Sequence, residues 1–248
     1  MKKFLVFTLC MICISLNAQN AKEAIQNTKQ IIEGKKNLER DIKELKEFDL
    51  KLRNMKKAVS RKDQIEVDRI SSELINDMTR EVTQSEVKAK KARREISQSS
   101  AEVRSDRREN EDNKKDSRRS RYDRRDDQRD KARDKANTRD DMRDRRDDIA
   151  DFKRQIVVTE KQAKLLLTLK TFDFTIEEIE RDAYRAKKQE IKSKFKNFIA
   201  LLKEDIEITK RELAEDIRES KEDARERRDD REERNEPEVK RKRKRNRG

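Results

Sequence analysis

Residues 31–59, IIEGKKNLERDIKELKEFDLKLRNMKKAV, decide the fold. Ile31, Leu38, Leu45, Leu52 and Val59 recur every seven residues, and Ile42, Phe48 and Met55 fill in three or four away. Seven residues are about two turns of α-helix, so these side chains share one face and charged residues cover the remainder. A stripe this narrow is buried only against other helices, which is the pattern of a coiled coil or helical bundle.

Three more seams follow. Ile75, Val82, Ala89, Ile96 and Val103 again recur at seven, flanked by Met78 and Ala92. A shorter seam runs Ile149, Phe152, Ile156, Ala163 and Leu166. The last runs from Ile176 through Ile179, Ala183, Ala186, Ile191, Phe195, Ile199, Leu202 and Ile206 to Leu213. Composition agrees with helix. Half of the residues are charged and 31% are hydrophobic, too little apolar surface for a compact globule of this length. Gly34 and Gly248 are the only glycines and Pro237 the only proline, whereas β-rich folds and disordered linkers use both freely. The expected fold is all-α: an elongated antiparallel helical bundle or coiled coil carrying a long charged arm.

That arm is Arg104–Asp148, rich in Arg and Asp and nearly balanced in charge, with Tyr122 and Met142 almost its only large apolar groups. Pairs such as Asp126–Arg129 and Asp141–Arg145 sit at helical spacing, each contributing about 0.2–0.5 kcal/mol to an isolated helix. Asp is a mediocre helix former, so the arm is expected to be helical or partly disordered. Residues after Ile217 share its character until Pro237 ends any helix.

Two turns are expected. Thr175 with Glu178 reads as a capping box, and Ile179 is placed to pack on Phe174 as a hydrophobic staple, after a poorly helical stretch at 171–174. Ser60 with Asp63 is a weaker start signal and places another turn after Val59. Folding the chain back near residue 126 sets the seam of 149–217 opposite residues 103–35, so apolar faces apolar. Folding at 149 instead lays that seam on the Arg/Asp segment. The first buries more apolar area. A parallel homo-oligomer aligns the same seams equally well, so a second copy or a protein partner on the seams stays open.

The chain starts with Lys2-Lys3, an apolar run Phe4–Leu16, and Asn17-Ala18 before polar residues, the form of a secretory signal peptide. The run is too short to span a bilayer, which takes about twenty residues. The expected divisions are therefore a signal peptide at 1–18, helical segments at 19–103 and 149–217, the charged segment 104–148 between them, and a charged extension at 218–248. No transmembrane segment is expected in the mature chain, which belongs in the periplasm or outside the cell.

Cys10 and Cys13 both lie in the leader, and the sequence has no histidine. The usual nucleophile–base pairs and Cys/His metal sites are thereby excluded from the mature chain. Asp126-Asp127, Asp140-Asp141 and Asp147-Asp148 lack calcium-loop spacing with its turn glycine, and each has Arg nearby. The expectation is a non-enzyme with no cofactor and no metal. The sharpest local feature is the basic tail Lys240, Arg241, Lys242, Arg243, Lys244, Arg245 and Arg247, a ligand for polyanions through counterion release. Three functions follow: a coiled-coil structural or interaction protein of the cell envelope, a polyanion binder (envelope polymer, lipid head group or DNA) acting through that tail, and a holdase-type periplasmic chaperone.

Overall fold

In the computed structural model, residues 2–116, 124–177 and 180–235 are described. They form four long helices, α1 Lys2–Arg61, α2 Gln64–Asp116, α3 Arg124–Lys170 and α4 Arg181–Asn235, with no strand among them. The all-α antiparallel bundle expected from the seams is the observed fold. Contacts divide the chain into two units, residues 40–208 and residues 1–39 with 209–248.

Within 40–208 the end of α1, α2, α3 and the start of α4 run alternately up and down. Lys51 Nζ meets Asp77 Oδ2 at 2.7 Å between α1 and α2. Ser85 and Thr159 hydroxyls lie 2.7 Å apart between α2 and α3, and Phe48 of α1 packs on Phe198 of α4 with ring centroids 5.3 Å apart. Leu52, Met55, Val67, Ile70, Leu74 and Met78 are closed over by Val158, Leu169, Ile191 and Phe195. Each fully buried side chain of this size contributes about 1.5–3 kcal/mol. The inward positions of α2 are small at Ser85, Ala89, Ala92 and Ser99, which lets the α2 and α3 backbones approach to within 8 Å between Cα atoms.

Two details depart from the sequence reading, and the charged arm takes the helical one of its two expected states where it is described. The α2–α3 register pairs Ser100 with Arg145 (2.9 Å) as well as Ser85 with Thr159. It is centred a few residues before 126, which lies inside α3. The expected arm is helical over 104–116 and 124–148. The first half of the third seam is offset by one: Phe152 and Ile156 are half-buried, while Asp151, Gln155 and Val158 face inward, and Gln162 then joins Leu166, which is buried as the seam requires. Polar residues hold the core face of α3, which an apolar count cannot see.

The α1–α2 turn takes two residues. Lys62 adopts the left-handed conformation (φ 56°), with Lys62 N–H on the Val59 carbonyl (3.2 Å) and Asp63 N–H on that of Ala58 (3.1 Å). This is a Schellman stop, with lysine where glycine is usual. Asp63 then caps α2 by accepting from Glu66 N–H at 3.1 Å, whereas the Ser60 hydroxyl bonds back to the Lys56 carbonyl. The cap is Asp63, not Ser60, because Ser60 is still inside α1. Asp63→Ala is expected to lower stability by about 1 kcal/mol, and Lys62→Gly to raise it by about 0.5–1 kcal/mol, in urea titrations followed by circular dichroism.

Residues 171–180 join α3 to α4 without regular structure, apart from Glu178 and Ile179, which lie outside the described residues. Helix α4 starts at Arg181, so Thr175 caps no helix and its N–H goes to Asp173 Oδ1 at 2.9 Å. The reason is Ile176, which is fully buried and whose N–H is bound by Gln64 Oε1 at 2.7 Å. Starting a helix there would carry that plug out of the core. Phe174 stacks on Phe195 (6.1 Å) and Phe172 meets Phe174 edge-on (4.9 Å). Of the three leucines at 165–167, Leu166 is buried and Leu167 exposed.

In the second unit, the first half of α1 pairs antiparallel with the second half of α4. Asn27 Nδ2 donates to Asp223 Oδ2 at 2.5 Å. A Cβ at Gly34 would meet Leu213 Cδ1 at 3.2 Å, so glycine there admits a close approach of α4.

Candidate functional site: a buried ionic layer

One charged layer crosses the core of the 40–208 bundle, and every helix contributes to it. Lys88 of α2 places its amine 2.6 Å from Asp41 Oδ2 of α1 and against Asp205 of α4. Gln155 of α3 donates to Asp205 Oδ1 and to Ser85 Oγ, both at 2.8 Å. Arg40 closes the layer from outside, with Nη2 2.8 Å from Asp41 Oδ1. Asp41, Ser85, Gln155 and Asp205 are at most 6% exposed and Lys88 is 9% exposed.

Two carboxylates thus face two cations, and the layer is balanced. Burial alone would lower the Lys88 pKa, but the carboxylates of Asp205 and Asp41 outweigh it and hold the amine above its ordinary value. Burying such charges is costly, and the attraction repays it only when each finds its partner. Sliding α1, α2 or α4 by a turn leaves a charge buried alone, at a cost of about 3–5 kcal/mol, and sliding α3 takes the Gln155 amide away from Asp205 and Ser85. Heptad seams tolerate a slip of seven residues; this layer does not. What the arrangement does is fix register and neighbour order.

The sequence reading missed these residues, although a signal was present. Asp41 stands three residues after Leu38, where Phe48 and Met55 stand after Leu45 and Leu52. Asp205 continues the heptad Ile191, Phe198. Charge at a seam position marks a buried polar layer or a break in the seam. The polyanion-binding residues expected at Lys240–Arg247 lie outside the described residues. Among the described residues no group of three or more carboxylate, histidine or cysteine side chains is placed to hold a metal. None of their helices is long and apolar enough to cross a membrane.

A second buried group borders the layer. Glu81 of α2 is buried beside Glu44 of α1, and Arg80 reaches Glu44 at 3.1 Å and Glu81 at 3.8 Å. Burial, then the Glu44 carboxylate, then Asp41 push Glu81 up to about 8, against the pull of Arg80. Folded Glu81 therefore keeps a proton that the unfolded chain releases near pH 4.5. Its contribution to stability is lost as pH rises from about 4.5 to about 8 and levels off above that. The midpoint of thermal unfolding is expected to fall across that window, and Glu81→Gln to flatten the fall; an unchanged slope in Glu81→Gln would place the titration elsewhere.

No family model, no curated protein and no solved structure matches this chain.

Proposed function

We propose that the chain is a non-enzymatic structural or interaction protein of the cell envelope. In this reading residues 1–18 direct export to the periplasm or cell exterior, and the helices act as a spacer presenting charged segments to a partner. The observation that carries it is the ionic layer: Asp41, Lys88, Gln155 and Asp205 are paired with one another across four helices instead of opening onto a substrate cleft. A bundle locked in one register suits a scaffold. Large exposed hydrophobic side chains such as Leu50, Ile65, Val87 and Leu167 are spread over separate stretches of α1, α2 and α3, which favours a spacer over a holdase.

Fractionation of expressing cells with mass measurement of the product tests the export step. The expected product lacks residues 1–18 and lies outside the cytoplasm; an uncleaved cytoplasmic product contradicts the reading. The purified protein should leave aggregation of an unfolded client unchanged. Suppression of aggregation would favour the holdase. The alternative, polyanion binding through Lys240–Arg247, predicts binding to a labelled polyanion that weakens steeply with salt and is lost on deleting residues 240–248.

A further inference from the structure

Two basic stretches far apart in sequence become neighbours in the bundle. Residues 51–62 of α1 carry six Lys or Arg and no acid, and residues 185–196 of α4 carry six against the single acid Glu190. Tyr184 of α4 donates its hydroxyl to the Val59 carbonyl of α1, and Lys188 Nζ donates to Ser60 Oγ at 3.0 Å. Lys56, Lys188 and Lys192 stand together over this seam. The apolar side chains beneath them, Leu52, Met55, Val59 and Ile191, are 0–3% exposed and closed into the core. The face therefore offers cations and no apolar contact. Nearby cations are answered: Arg53 by Asp49 at 3.2 Å, Lys187 by Asp173 and Lys194 by Glu190. Among the described residues no carboxylate forms an ion pair with Lys56, Lys188 or Lys192. Like charges gathered this way repel one another, a cost that a bound polyanion removes.

We infer that this face binds a linear phosphate polymer, laid along the α1–α4 seam with its charges on Lys56, Lys188 and Lys192, at a site separate from the basic tail. Lysine meets phosphate as a point charge, and a chain of phosphates engages several such charges at once and releases its own counterions. Lys188 and Lys192 are about one turn, or about 5.4 Å, apart along α4, and Lys56 faces them from α1. A single anion cannot use that length; a chain can. A membrane surface is a poorer fit, because binding there gains from apolar side chains that enter the lipid and this face presents none. Nucleic acid adds stacking of bases on free aromatic rings. Tyr184, the aromatic residue of this seam, has the Lys62 amine 5.1 Å from its ring centroid and its hydroxyl already engaged. What the face selects is charge in a row, without bases and without an alkyl chain.

The test is binding of labelled inorganic polyphosphate across a salt series, in the full-length chain with the seven cations of residues 240–247 changed to glutamine. That protein should still bind. Adding Lys56→Gln, Lys188→Gln and Lys192→Gln should weaken binding at least tenfold at low salt and leave the circular dichroism spectrum unchanged. The slope of log affinity against log salt should become shallower by about 2, at about 0.7 for each phosphate neutralised on a single strand. Lys153→Gln, Lys161→Gln and Lys164→Gln remove the same charge from exposed positions of α3 and should leave the slope unchanged. No binding once the tail is neutralised overturns the inference and assigns polyanion binding to the tail alone. An equal loss in the α3 variant overturns it by showing a response to net charge only. A single-stranded oligonucleotide of equal charge binding more tightly than polyphosphate, or phosphatidylglycerol vesicles binding where polyphosphate does not, overturns the choice of ligand.

Discussion

Replacing Lys88 by methionine is expected to destabilise the bundle by about 3–5 kcal/mol, the usual cost of removing one partner from a buried ion pair. The side chain is similar in length and the seams are untouched, so the loss comes from Asp41 and Asp205 left facing each other at the core. The triple variant Asp41→Leu, Lys88→Met, Asp205→Leu should recover most of the loss, because a well-packed apolar layer replaces ion pairs at little cost. Urea unfolding of the two variants separates the explanations. A triple variant as unstable as the single one would show that packing around Lys88, not its charge, is what matters.

Phe195→Ala is expected to cost about 3–5 kcal/mol, the range for emptying a large buried aromatic site. Phe195 is fully buried and sits between Phe48 and Phe174, with centroids 6.2 and 6.1 Å away. It therefore joins α1, α4 and the 171–180 connector, and no single neighbour can move in to fill the space. Leu167→Ala, at an exposed position, should change stability by no more than about 0.5 kcal/mol. A loss for Phe195→Ala no larger than that of Leu167→Ala would mean the aromatic cluster does not hold this end of the bundle together.

Helical class was legible because it depends on apolar periodicity, and Leu52, Met55, Met78, Phe195 and Leu202 are buried as their seams require; the antiparallel pairing was one of two arrangements that align the seams equally well. Turn chemistry was legible only in outline. The α1–α2 break follows Val59, but Asp63 caps α2 instead of Ser60, and a lysine fills the left-handed position that glycine would have announced. The connector misled for a different reason. Thr175 has the composition of a cap, yet burial of Ile176 and its bond to Gln64 come from tertiary packing that no local pattern contains.

The polar core was the least legible part. Asp41, Gln155 and Asp205 occupy seam positions, but a search for apolar residues passes over them and picks Ile42, Ile156 and Ile206 beside them. Their role depends on Lys88 arriving from a distant helix, and that juxtaposition exists only once the chain has folded back.

The central claim is that one chain folds on itself with α2 and α3 held in a single register beside the ionic layer. Cysteine pairing tests it most directly, because the chain after residue 18 contains no cysteine. Ser85→Cys with Thr159→Cys, in a chain with Cys10 and Cys13 replaced by serine, puts two thiols where hydroxyls now sit 2.7 Å apart. Mild oxidation should yield an intrachain disulfide, seen as a faster-migrating monomer on a non-reducing gel and as a single linked peptide after digestion. Free thiols after oxidation, or disulfide-linked dimers in their place, would contradict the account.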